Sequence, residues 1–261
     1  MSAPLLAVRN ITQRFGGLVA VNDVSLDVAE HQIFSVIGPN GAGKTTLFNV
    51  LTGVYRPDQG QVLLQGRALT RLPPDRIARH GVARTFQNIR LFGAMTVFEN
   101  LLIGQHRHIR YSFADALLRT PRFYRGERAC RAKAMELLEY MGLKDLASEC
   151  ARNLAYGQQR RLEIARALAL QPRLLLLDEP AAGMNPQETG ELSALIRRLR
   201  DDLRITILLI EHHMNVVMAI SDRVAVLDHG AKIAEGAPEE VRRHPEVIEA
   251  YLGKGAAGDA A

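Results

Sequence analysis

The apolar positions of this chain fall into two rhythms. Short blocks that alternate or run unbroken predict strands, and longer blocks with apolar residues three and four apart predict helices. Leu5–Phe15 and Val19–Val28 alternate, are rich in β-branched residues and flank Gly16–Gly17, so they predict two antiparallel strands. His31–Ile37, Arg173–Leu177 and Ile205–Ile210 are short and almost wholly apolar, as strands buried on both faces are. Gln61–Gln65 and Val82–Phe86 predict two more strands. Arg223–Asp228 and Ala231–Ala234 predict a hairpin around His229–Gly230. Helical patterns fill the gaps at Thr46–Thr52, Pro73–His80, Gln159–Leu170, Pro186–Leu203, Pro238–Arg243 and Pro245–Tyr251.

Residues 89–150 lose the strand rhythm. Thr96, with Glu99 three positions on, predicts a capping box for a helix over Val97–Gln105. Thr120–Pro121 breaks the pattern, and Phe123–Met141 resumes it until Gly142 closes the helix. Val97–Leu102 and Ala134–Met141 supply the apolar faces. In Gln159–Leu170, Leu162, Ala165, Leu168 and Ala169 share one face, while Arg160, Glu163 and Arg166 lie opposite. The whole reads as an α/β fold with an N-terminal antiparallel β subdomain and an inserted α-helical subdomain. We expect a single domain over 5–253. Its core is 5–88 and 159–235, its helical insert is about 89–158, its C-terminal helices occupy 238–253, and 254–261 form a disordered tail.

Composition narrows this little. At 261 residues and 47% hydrophobic content, the chain can bury a full α/β core. Its longest apolar runs, such as Leu174–Leu177, are far too short to span a bilayer. Met1–Leu6 lacks the basic and apolar regions of a leader, so a cytoplasmic protein is expected. Cys130 and Cys150 define neither a disulfide framework nor a metal cluster. A net charge of +5 is too mild to argue for nucleic acid as a partner. The surplus is local, at His106–Arg110 and Pro121–Lys133. Each arginine there reads first as part of a solvated helical face; the functional alternative is a surface beside anionic lipid or a membrane partner.

Candidate chemistry centres on Gly38–Thr46, which fits G-x-x-x-x-G-K-[ST] with Gly38, Gly43, Lys44 and Thr45 at the fixed positions. It lies between an apolar strand and a helix start, the context in which that pattern means a phosphate cradle. Backbone N–H groups of Gly38, Pro39–Ala42 and Gly43 onward can turn inward because glycine has no Cβ to clash; Pro39 itself brings no N–H. Lys44 can reach phosphate oxygens, and the Thr45 hydroxyl can ligate Mg²⁺, with Thr46 behind it. Asp178–Glu179 end a buried strand, where α/β sheets place ligand chemistry. Asp178 suits Mg²⁺ and Glu179 suits polarising a water. Phe15 is either a base-stacking aromatic or a half-buried strand residue. His212 or His213, just past another buried strand, can donate to an anionic oxygen.

Taken in order, the phosphate loop, Gln87, Leu154-Ala155-Tyr156-Gly157-Gln158, Leu174–Glu179 and His212 resemble the ATP-binding subunits of ABC transporters. Finer features resemble the LivG type, one of two ATPases in high-affinity branched-chain amino-acid importers. These are Thr85-Phe86-Gln87 with Arg90-Leu91-Phe92, Asn153–Arg166, Glu179-Pro180-Ala181-Ala182-Gly183 and Ala250-Tyr251-Leu252-Gly253. The resemblance implies a P-loop NTPase fold with a RecA-like core, and ATP hydrolysis with Mg²⁺. It places Phe15 on the adenine base and Gly38–Thr46 on the phosphates. Thr45, Gln87 and Asp178 fall around Mg²⁺, with Glu179 as general base and His212 as the switch histidine. Ala155, Tyr156, Gly157 and Gln158 would close over ATP held by the opposite subunit of a head-to-tail dimer. The implied partners are a homologous ATPase subunit, two membrane permease subunits and, indirectly, a periplasmic binding protein, at the cytoplasmic face of the inner membrane. The chain departs from the general ABC pattern at Ala155, where serine is usual, and at Asn185 and His213, where aspartate is usual. Lipopolysaccharide export, urea or amide import, a non-transport ABC ATPase and a P-loop kinase are the rival readings.

Overall fold

The computed structural model describes residues 3–108 and 111–252; the tail expected at 254–261 lies outside them. The chain divides into two units, one from residues 1–84 and 173–261, the other from 85–172. In the first unit the alternating blocks pair as antiparallel β1 (Leu6–Phe15) and β2 (Leu18–Val28). β3 (Ile33–Ile37) leads through the glycine-rich loop into α1 (Lys44–Leu51). β4 (Gln59–Leu64) and β5 (Arg67–Ala68) complete a four-stranded sheet ordered β2-β1-β4-β5. α2 (Pro74–Arg79), opened by a proline that needs no N–H partner, leads to β6 (Val82–Arg84).

The second unit is helical: α3 (Val97–Gln105), α4 (Phe113–Leu117), α5 (Pro121–Tyr140) and α6 (Tyr156–Leu168). The capping box of α3 forms, with Thr96 Oγ1 accepting from the Glu99 N–H at 3.1 Å and Glu99 Oε2 accepting from the Thr96 N–H at 2.8 Å. Val97 and Leu101 of α3 and Ala134 and Leu138 of α5 are fully buried.

The chain then returns to the first unit with β7 (Leu174–Asp178), α7 (Pro186–Leu203), β8 (Thr206–Ile210), α8 (Met214–Ile220), β9 (Arg223–Asp228), β10 (Ala231–Gly236), α9 (Pro238–Arg242) and α10 (Pro245–Leu252). Its second sheet runs β10-β9-β3-β8-β7-β6, parallel except for the terminal hairpin. Every residue of β3, β7 and β8 is buried, as their unbroken apolar runs require. Each such Leu or Ile contributes roughly 1.5–3 kcal/mol.

Three elements differ from the sequence-based expectation. The break at Thr120–Pro121 does separate α4 from α5, but α5 starts at the proline and not at Phe123: Thr120 Oγ1 accepts from the Phe123 N–H, and proline takes the first helical position. α4 and α8 were not foreseen, because one or two turns give periodicity too little length to register. On α6 the polar side opposite Leu162 is largely buried as well. Arg160 and Glu163 are 0% and 2% exposed, because each neutralises the other.

Candidate nucleotide-binding site

Four adjacent parallel strands, β3, β8, β7 and β6, end on the same edge of the sheet. That edge gathers the chemistry of the first unit. β3 delivers the phosphate loop. Gly38 has φ 147, and a Cβ there would lie 2.0 Å from the Leu227 carbonyl oxygen. Gly43, with φ 96, would put a Cβ 2.3 Å from the Ala20 oxygen. Only glycine fits either place, so the two fixed glycines are set by close backbone approach as much as by the turn. The loop's other residues are Pro39, Asn40, Gly41 and Ala42. The Ala42 N–H donates to the Pro39 carbonyl at 3.2 Å and its carbonyl accepts from the Gly230 N–H at 3.2 Å. α1 starts at Lys44, with Thr45 exposed and Thr46 half-buried on its first turn. Lys44 Nζ donates to the Gly38 and Pro39 carbonyls at 2.7 and 2.8 Å, which folds the side chain over the loop. Burial pushes its ammonium below the ordinary lysine value, while Glu179 and Asp178 pull it back up.

β7 delivers the acids. Asp178 Oδ2 is 2.7 Å from Arg84 Nη2, with the two side chains 5% and 7% exposed. Arg84, at the end of β6, also donates to Asn49 Oδ1 of α1 at 2.7 Å and stacks over the Phe48 ring. One guanidinium thus joins the phosphate-loop helix to the acid. Sequence reasoning missed Arg84; its signal was a cation closing an apolar strand at the sheet edge that also carries the acids. Glu179 sits at φ 45, a left-handed backbone that carboxylate residues seldom adopt, and its N–H donates to Ile210 O at 2.9 Å. Strain of this kind persists where neighbours enforce it and concentrates at functional sites. His212 Nδ1 lies 3.6 Å from Glu179 Oε2, and the exposed His212 and His213 rings are 4.2 Å apart.

Glu211, wholly buried at the end of β8, was also missed. It accepts from the N–H groups of Ala181, His212 and His213 at 2.9, 3.1 and 3.3 Å. This carboxylate fixes both the loop after Glu179 and the histidine pair. Asn185 is the N-cap of α7, accepting from the Glu188 N–H at 3.0 Å. Phe15 is 43% exposed and meets Tyr55 edge-on at 5.1 Å, leaving a ring face for stacking. A third missed residue is Tyr251 of α10, whose hydroxyl lies beside the Gly38 backbone and is pushed above the ordinary tyrosine pKa by burial. Val247 of the same helix packs in a cluster with Ile37.

Gln87 and Ala155–Gln158 belong to the second unit, where Arg160 links them. Its guanidinium donates to the Phe86 and Gln87 carbonyls, each at 2.8 Å, to Glu163 Oε2 at 2.8 Å and to the Tyr156 hydroxyl at 3.3 Å. Tyr156 is 42% exposed and Ala155 is exposed. Gln158 Oε1 accepts from the Ala155 N–H at 3.1 Å; alanine has no oxygen to return that bond. Gly157 follows in the first turn of α6.

A parallel-sheet edge carrying a phosphate loop, an acidic pair and a histidine defines a P-loop nucleotide-binding protein. Comparison with known proteins takes the assignment further. Residues 21–182 match the family described as ABC transporter, and residues 231–257 match the branched-chain amino acid ATP-binding cassette transporter family. The chain is 55% identical over 254 residues to the high-affinity branched-chain amino acid transport ATP-binding protein BraF of Pseudomonas aeruginosa, covering 97% of this chain and 100% of that one. It is 54% identical, with the same coverage, to the Escherichia coli K12 protein LivG, described in the same words. Among solved structures, MJ1267, an ATP-binding cassette of an ABC transporter, superposes with TM-score 0.83 at 34% identity, over 97% of this chain and 100% of that one. The chain belongs to the ABC transporter family, as one of its ATP-binding, ATP-hydrolysing subunits.

Proposed function

We propose that this subunit powers import of branched-chain amino acids, with Glu179 as general base and Mg²⁺ held beside the phosphates. The observation that carries the chemistry is the sheet edge where Lys44, Asp178, Glu179 and His212 meet; the relatives named above supply the substrate class. Lys44 exchanges its loop carbonyls for β- and γ-phosphate oxygens, and the amides of Gly41–Thr46 bind the remaining ones. The oxygen donors Thr45 and Asp178, with Gln87, suit a hard divalent cation, which would neutralise phosphate charge. Glu179 takes a proton from the water attacking the γ-phosphorus. His212 donates to a γ-phosphate oxygen and, beside Glu179, orients its carboxylate. Phe15 stacks on the adenine base.

Ala155, Tyr156, Gly157 and Gln158 serve a second ATPase subunit across a head-to-tail dimer. Without a hydroxyl at Ala155, the backbone N–H groups of Gly157 and Gln158 supply that anion contact, and the missing bond costs roughly 0.5–1.5 kcal/mol, or up to ~3 toward a charged phosphate. Residues 5–253 act as one ABC domain, whose helical subdomain, about 89–158, carries near 89–125 the groove that docks on the permease at the cytoplasmic face. The partner is a homologous ATPase, and a periplasmic binding protein signals through the permeases.

The test is ATP hydrolysis by the reconstituted membrane complex, wild type against Glu179→Gln, with a leucine-loaded binding protein added. Stimulated hydrolysis that disappears in the variant while ATP still binds is the expected result. Hydrolysis in the wild type that ignores the loaded binding protein would overturn the branched-chain assignment; hydrolysis that survives in Glu179→Gln would overturn the role of the base.

A further inference from the structure

Helix α4 buries none of its side chains. Phe113 is 85% exposed, Leu117 72%, and Leu118, just past the helix end, 73%. Single apolar residues on a surface need no explanation, but three large ones within six positions form a patch that does. Phe113 and Leu117 stand four apart and so share a face. The corner is nonetheless well tied. Ser112 Oγ accepts from the Asp115 N–H at 3.1 Å, and Asp115 Oδ1 accepts from Thr120 Oγ1 at 2.8 Å. Thr120 is itself the cap of α5, so one carboxylate fixes the turn between the two helices.

The apolar tip runs straight into cations. Arg119, Arg122, Arg125 and Arg128 are all exposed, the last three at every third position of α5. Between residues 119 and 133 the sequence has one acid, Glu127, and it is engaged by the Tyr111 hydroxyl at 2.5 Å. Exposed large apolar side chains flanked by dense arginine and almost no acid are the makings of an interfacial membrane segment.

We propose that the α4–α5 corner binds an anionic bilayer surface directly. Phe113, Leu117 and Leu118 enter the boundary between headgroups and acyl chains, and the four arginines meet lipid phosphates. The charge argues for lipid over a protein partner. Four exposed arginines with a single, engaged acid among them present charge of one sign, which an anionic surface complements. A fluid anionic leaflet offers phosphates to arginines at any spacing. The proposal goes beyond the transport reading, since it gives this subunit a membrane contact of its own and holds whatever molecule is carried.

The test is co-sedimentation of the full chain with vesicles of phosphatidylcholine alone and of phosphatidylcholine mixed with phosphatidylglycerol, at low and high salt. Two variants accompany it, Arg122→Gln/Arg125→Gln/Arg128→Gln and Phe113→Ser/Leu117→Ser/Leu118→Ser, each checked for unchanged ATP binding as proof of folding. We expect strong, salt-sensitive partitioning onto the mixed vesicles. Each arginine is worth about fivefold, so the charge variant loses roughly a hundredfold. The apolar variant also loses affinity but keeps its salt dependence. Equal binding to both vesicle types, or binding that neither variant alters, would overturn the proposal. So would the absence of vesicle binding in a protein whose assembly with the permease subunits depends on the same residues, since the corner would then dock on protein. Each result is read without reference to leucine-stimulated hydrolysis, so the two proposals fail separately.

Discussion

Arg84 and Arg160 make the same point about single residues. Both close an ion pair in a dry place, with Asp178 and with Glu163 respectively. Both also donate elsewhere, Arg84 to Asn49 of the phosphate-loop helix and Arg160 to the Gln87 carbonyl. A buried pair of this kind adds little net stability over an apolar substitute, but removing one partner strands the other charge. Arg84→Met should therefore cost about 3–5 kcal/mol in urea unfolding, and adding Asp178→Asn should recover part of it. An additive or larger loss in the double variant would show that the two side chains are not energetically coupled. The motifs flanking these arginines were legible in the sequence; the arginines were not, because nothing in a linear spacing says that a cation at 84 meets an acid at 178.

At the level of elements, local signals did best where the structure is local. The box at Thr96 and Glu99 and the helix that it opens are as the spacing predicts. Two bonds to the Glu99 carboxylate hold it below the usual value of 4.5, chiefly the one from the Thr96 N–H and then the one from the Thr96 hydroxyl. A depressed carboxylate contributes stability that is fully present above 4.5 and is lost as pH falls through the lower folded value. Glu99→Gln should thus destabilise the protein at neutral pH and make progressively less difference as the pH drops below 4.5, read by urea midpoints across that range. A penalty independent of pH would remove the charge from the account. α4 shows the limit of such signals. It has a proper cap, but its apolar residues Phe113 and Leu117 are exposed and it buries no side chain among the described residues.

At the scale of the whole molecule, the long-range connections are those that no motif announces. Tyr251 is separated from Gly38 by most of the chain, yet its hydroxyl lies beside the backbone of the first loop glycine. Val247 anchors the same helix among Ile37, Val224 and Val226. The segment that matches the branched-chain cassette family thus reaches the phosphate loop of the general ABC family. Tyr251→Phe, which removes the hydroxyl beside the first loop glycine, should raise the KM for ATP about two- to tenfold, with kcat little changed. A Tyr251→Phe protein with unchanged KM, or one that loses only thermal stability, would make the contact purely structural.

The sequence by itself determined the α/β class, the phosphate loop, the acidic pair, the histidine after β8 and the family, because each rests on residues close in the chain or on a fixed order of motifs. Short-range sterics and periodicity act within a few residues, so a reader of the sequence meets them directly. The strand order that sets β3, β8, β7 and β6 side by side, the burial of Arg84, Arg160 and Glu211, and the reach of Tyr251 were decided only by tertiary structure. Those features depend on which surfaces exclude water together, and a charge is tolerated inside only once a distant partner has been brought to it.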